Sequence, residues 1–192
     1  VQSNTYTNSH ASEEGSTVVK NKGSDELIKI LQLTSPNGST LNLEAQENDV
    51  NTKYGKYLDA VPGYNVEIRT MTLTEFANDF KTKWEAHQTT ANAAARQSLE
   101  EYALTYFDSI EIVAPTDTAA GLYGADMIVL GFADNFPAMT YEDAVTAIQS
   151  YMESEKPVLL AHDFIMFQGD SLHGKYLRHN VGMDKYGVTQ NI

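Results

Sequence analysis

Two side chains able to move protons or hold a ligand, His162 and Asp163, close the apolar run "KPVLLAHDF" at residues 156–164. An imidazole beside a carboxylate at the end of a buried strand suits a general base or a ligand contact, because open α/β sheets bind their ligands beyond the carboxyl ends of the strands. The same pair suits a structural duty, with Asp163 capping the following turn and His162 bonding backbone across the sheet end. The structural duty is the reading their positions favour. Asp134 and Asn135 follow a second apolar run, "IVLGFA", and belong on the same rim, where Asx residues before Pro137 are also natural turn formers. Thr34, Ser35 and Asn37 follow the first run, "ILQL", and complete the polar set. The candidate ligand rim is therefore His162, Asp163, Asp134, Asn135, Ser35 and Asn37.

Other chemistries find less support. The loop "TSPNGS" has no phosphate-loop lysine and no GxGxxG spacing, which disfavours nucleotides, and no cofactor is expected. Asp170, His173, His179 and Asp184 match neither HExxH nor the EF-hand pattern, so no metal is expected. There is no GxSxG elbow to make Ser171 and His173 part of a triad. The chain contains no cysteine, which removes thiolate nucleophiles and zinc–sulfur sites together. Among 192 residues, 26 are acidic and 13 basic, for a net charge of −13. That field repels phosphate backbones and anionic lipid surfaces, so nucleic acid is excluded as a partner. No apolar run approaches the ~20 residues of a membrane span, so no membrane insertion is expected in this segment.

The elements that must position the rim follow from hydrophobic period. Residues 1–24 are rich in Ser, Thr, Asn and Gly without sustained period, and read as a disordered tail or linker. Residues 25–192 read as one α/β domain. Strands are expected at 28–33, 64–70, 127–132 and 157–161, with "IEIVA" (110–114) as an extra edge strand. Helical spacing joins Tyr54, Tyr57, Leu58 and Val61, then Leu73, Phe76, Ala77, Phe80 and Trp84 after a Thr72/Glu75 capping box. "HQTTAN" (87–92) breaks the pattern before a helix carrying Leu99, Tyr102, Ala103 and Tyr106. Thr140 with Asp143 is expected to cap a helix that turns Ala144, Val145, Ile148, Tyr151 and Met152 inward. A last helix over 171–181 stops at Gly182. Alternating strands and helices predict a three-layer α/β/α fold with a mostly parallel, flavodoxin-like sheet, strand 28–33 lying central beside 127–132. Four parallel strands are few for such a sheet, which leaves room for another in a longer parent chain.

The strand Lys156-Pro157-Val158-Leu159 resembles the nucleophile strand of the class I glutamine amidotransferase-like superfamily. His162 stands where the catalytic members carry cysteine, and Leu160 and Phe164 replace the elbow glycines. That departure resembles the noncatalytic branch, which includes ThuA-like proteins and accessory domains of glycoside hydrolases. The stretches "LRHNVGMDKYGVT" (177–189), "MTLTEF" (71–76) and "ILQL" (30–33) resemble a domain of unknown function in large bacterial cell-surface proteins. The resemblance implies an extracellular or cell-surface, multidomain parent. It also implies a nonenzymatic binding or architectural module whose partners are a carbohydrate or small-molecule ligand and the other domains of the parent. The alternative is a hydrolase acting on a carbohydrate or related small substrate through His162 and Asp163 or Asp134. A module would fill the rim with apolar side chains such as Phe132, Phe136 and Phe164. An enzyme would converge at least two of the polar groups on one point of a pocket.

Overall fold

The computed structural model describes residues 26–35, 41–47, 64–90, 92–131, 139–161 and 172–182. The expected tail at 1–24 and the helix expected around Tyr54–Val61 lie outside the described residues. Four parallel strands make the main sheet: β1 (Glu26–Thr34), β2 (Tyr64–Thr72), β5 (Met127–Leu130) and β6 (Val158–Leu160), in the order β2-β1-β5-β6. Counted along the chain this is the 2-1-3-4 order of a flavodoxin-like sheet, so the fold is three-layer α/β as expected. Register runs Glu26↔Tyr64 to Thr34↔Thr72, Ile30↔Met127 to Leu33↔Leu130, and Ile128↔Val158 to Leu130↔Leu160.

Because side chains alternate along a strand, this register sorts the sheet into two unlike faces. Leu31, Leu33, Met71, Ile128 and Leu130 share one face and head the apolar core. The helices α2 (Leu73–Gln88), α3 (Leu99–Ser109), α4 (Glu142–Glu153) and α5 (Leu172–Asn180) all supply residues to that core. Its centre is aromatic. Phe76 stacks on Phe107 at 5.8 Å, Phe80 meets Tyr106 edge-on at 5.1 Å, and Phe107 meets Tyr151 at 4.9 Å. The other face carries Ile30, Gln32, Thr34, Ile68 and Thr70, and against it lies the short helix α1 (Leu43–Glu47).

The helix starts are chemical. Thr72 accepts the Glu75 N–H while the Glu75 carboxylate accepts the Thr72 N–H, the reciprocal box expected for α2. Ser98 and Glu101 build a second such box at α3.

Three expectations are corrected. Thr140 does not cap α4: the cap position is Tyr141, with no side-chain bond, because the Asp143 carboxylate turns away to accept the Trp84 indole N–H and the Tyr141 hydroxyl, both at 3.1 Å. The "IEIVA" strand is present as β3 (Glu111–Val113), but it pairs antiparallel with β4 (Leu122–Tyr123) in a separate two-stranded sheet. Arg69 of β2 ties it to the main sheet by donating to the Glu111 carbonyl. Finally, the run 157–161 is not a buried strand. Among the described strands β6 lies at the edge, and Leu159 is 43% exposed.

Candidate functional site

The carboxyl edge of the sheet is where the candidate rim belongs, and β1 and β5 are its centre. The chain leaves β1 toward α1 on one face and reaches α4 from β5 on the other, so the crossovers part between these two strands. Of the six rim candidates, Ser35 is placed there: it follows β1 directly and is 4% exposed. Asn37, Asp134, Asn135, His162 and Asp163 lie outside the described residues, as do Phe132, Phe136 and Phe164. The backbone that would present them is fixed at its base. The Gly131 N–H donates to the Leu33 carbonyl at 3.3 Å, and the Ala161 N–H donates to the Leu130 carbonyl at 2.8 Å. Gly131 has φ +137, and a Cβ there would fall 2.1 Å from the Ala161 Cβ. Only glycine lets β5 and β6 finish so close together.

Beneath this rim, on the α1 face, is a polar network that the sequence reading passed over. Gln32 is fully buried in the central strand. Its amide nitrogen donates to the Leu41 carbonyl at 2.7 Å, and its amide oxygen accepts the Leu43 N–H at 2.8 Å and the Thr70 hydroxyl at 3.0 Å. Asn42 accepts the Ala45 N–H, and Glu44 reaches across to accept the Thr70 N–H at 2.7 Å. The signal was legible as a lone amide inside "ILQLT", since a buried polar side chain in a strand must find partners. One residue pair further along the same face, Thr34 is 5% exposed and its hydroxyl is buried without a hydrogen-bond partner.

On the opposite face, a small cleft of ≈ 70 Å³ opens between the start of α2 and residues 139–141, lined by Leu73, Thr74, Ala77, Asn78, Met139, Thr140 and Tyr141. Burial and the neighbouring Asp143 carboxylate push the Tyr141 hydroxyl well above its ordinary range, so it is a hydrogen-bond donor and not a proton source near neutrality. Behind it, His87 stacks on Tyr102 at 4.5 Å and accepts the Gln97 N–H at 2.9 Å. That places in the packing a histidine that the sequence reading treated as part of a polar break.

Among the described residues no group of three or more His, Asp or Glu side chains could hold a metal ion, and no helix is long and apolar enough to cross a membrane. Of the residues weighed for a metal, His179 lies in α5, while Asp170, His173 and Asp184 have no described side chains. No protein-family model, curated protein or solved structure matches the chain.

Proposed function

We propose that the chain is a nonenzymatic binding or architectural module of a larger bacterial surface protein, and that a ligand, when taken, sits at the carboxyl edge of the sheet. The observation that carries this reading is the occupation of the acidic groups around that edge. Glu44 accepts the Thr70 N–H, Glu75 closes the α2 capping box, Asp143 holds Trp84 and Tyr141, and Glu142 accepts the Tyr176 hydroxyl. Each of these four described carboxylates gives at least one oxygen to the fold, which supports a structural duty for them. Glutaminase chemistry lacks its nucleophile, because the chain has no cysteine. The surface-protein setting rests on the resemblance of residues 30–33, 71–76 and 177–189, and the acidic net charge of −13 argues against nucleic acid as the partner.

The test is turnover. The purified chain is expected to release no ammonia from glutamine and no chromophore from a panel of aryl glycosides above a heat-inactivated control. Turnover that disappears in His162→Ala or Asp163→Asn would replace this reading with the hydrolase.

A further inference from the structure

We infer that His87 is a pH-sensitive latch on the connection between α2 and α3, closed while its imidazole is neutral and released when the ring takes a second proton. The latch lies away from the carboxyl edge of the sheet and does not depend on the function proposed above. Nε2 of His87 accepts the Gln97 backbone N–H at 2.9 Å. A ring nitrogen accepts only when it carries no proton, so this bond belongs to the neutral imidazole. A proton placed on Nε2 sets donor against donor and removes the bond. What remains to hold the connection is slight. Its 3-10 turn, Ala93–Ala95, contains no buried residue, and residues 92–96 are all exposed. Besides His87, the described side-chain bonds that tie it down are two. The Arg96 guanidinium donates to the Thr90 carbonyl at 3.2 and 3.4 Å, and the Gln97 amide donates to the Thr105 hydroxyl at 2.9 Å. Beyond the connection, α3 is anchored by its Ser98–Glu101 capping box and by Ala103, Tyr106 and Phe107 in the core, so the release is local.

The charged ring also has a place to rest. His87 lies in the last turn of α2, where the helix dipole favours a cation. It stacks on Trp84 and on Tyr102, with ring centroids 5.9 and 4.5 Å away, and both faces attract an imidazolium. Burial, then the Asp79 carboxylate, raises the Tyr102 hydroxyl, so that partner stays uncharged while a histidine titrates. The charged groups on the surrounding elements are engaged. From α4, Asp143 accepts the Trp84 indole N–H, and from α3, Glu101 accepts the Ser98 N–H. Arg96 on the connection is held by Thr90, and on α2 itself Lys83 pairs with Asp79 and Lys81 with Glu85. Histidine is the side chain whose ordinary titration falls between about pH 5 and 8, so a change of bonding at this connection in that range belongs to His87.

The experiment follows the His87 ring nitrogens and the Gln97 amide of the isotopically labelled chain by NMR as pH falls from about 8 to about 5. It is repeated on His87→Phe, which keeps a flat ring without an acceptor and identifies the His87 signals among the five histidines. It is repeated again on His87→Gln, which sets an acceptor that does not titrate near the place of Nε2. The expected result is that the protection of the Gln97 amide against exchange falls about tenfold as Nε2 takes its proton, while the Tyr106 and Phe107 amides keep theirs. In His87→Phe the Gln97 amide is already open at the start, and neither variant shows the step. A Gln97 amide that stays protected while the ring is protonated overturns the inference. So does a step that persists in either variant, a ring that takes no proton over this range, or loss of Tyr106 and Phe107 protection together with Gln97, which is unfolding of α3 and not release of a latch. Where His87→Phe does not fold, the wild-type titration and His87→Gln decide by the same outcomes.

Discussion

Replacing Gln32 by leucine tests whether the polar network, and not apolar packing alone, holds α1 against the sheet. The substitution keeps approximate volume and removes the amide. The Leu41 carbonyl then loses its only named donor and the Leu43 N–H its only named acceptor, while the Thr70 hydroxyl keeps a second acceptor in Asn42 at 3.2 Å. Two orphaned backbone groups cost about 1–3 kcal/mol each when sealed from water, and the half-buried position of this loop places them at the lower end. Leucine recovers part of that through its greater apolarity, leaving a net loss of about 2 kcal/mol. For a chain of this size that lowers the thermal midpoint by about 4–8 °C. Hydrogen exchange separates mechanism from mere loss. The Leu43 amide should lose protection first, because its acceptor is gone. The Thr70 amide, held by Glu44, should follow only if α1 detaches. In the double variant with Thr70→Val the losses should fall short of additivity, since both remove the same bond. A Gln32→Leu protein that melts at or above the wild-type temperature with Leu43 still protected would refute the reasoning.

Gly131→Ala should destabilise more than Gly182→Ala in denaturant titrations, because both have positive φ but a Cβ at Gly131 collides with Ala161 while one at Gly182 meets nothing within 4 Å; the open position should cost about 1 kcal/mol. Thr72→Ala and Ser98→Ala should each cost about 1 kcal/mol through their capping boxes, while Thr140→Ala should be near neutral because it caps nothing. Stability should fall as pH rises above the ordinary tyrosine range, about 10. Burial, then the Asp79 hydrogen bond, raises Tyr106, and burial, then Asp126 and Asp108, raises Tyr151. The unfolded chain ionises these phenols first, so the stability present below that range is lost above it. Tyrosinate absorbance that rises fully before the loss of circular dichroism would contradict this.

The fold was legible where local chemistry and tertiary packing agree. β1, β2 and α2 show their period and, at Thr72 and Glu75, their boundary, and the structure keeps all three. The start of α4 was misread because Thr140 and Asp143 have the spacing of a cap but Asp143 serves Trp84, 59 residues away in sequence. β6 was misread as buried because an apolar run does not say whether a neighbour covers both of its sides. The carboxyl edge was legible as topology, and Ser35 follows the central strand there, while the other five rim candidates lie outside the described residues. The network under it was not, since Gln32 announces a need for partners without naming Leu41, Leu43 or Thr70.

The two faces of the sheet differ in what covers them. On the α2–α4 face, Leu31, Leu33 and Met71 disappear under interlocking rings from Phe76 to Tyr151, and an added group there would have to open a close-packed core. On the α1 face the same central strand presents Gln32 and Thr34. The polar cover at Gln32 is complete and rigid, because every donor and acceptor of Leu41–Leu43 that meets it is used. At Thr34, one step nearer the carboxyl edge, the cover ends with a hydroxyl unmet. That asymmetry, set by alternation along β1, puts the close-packed apolar core on one face and a polar network on the other.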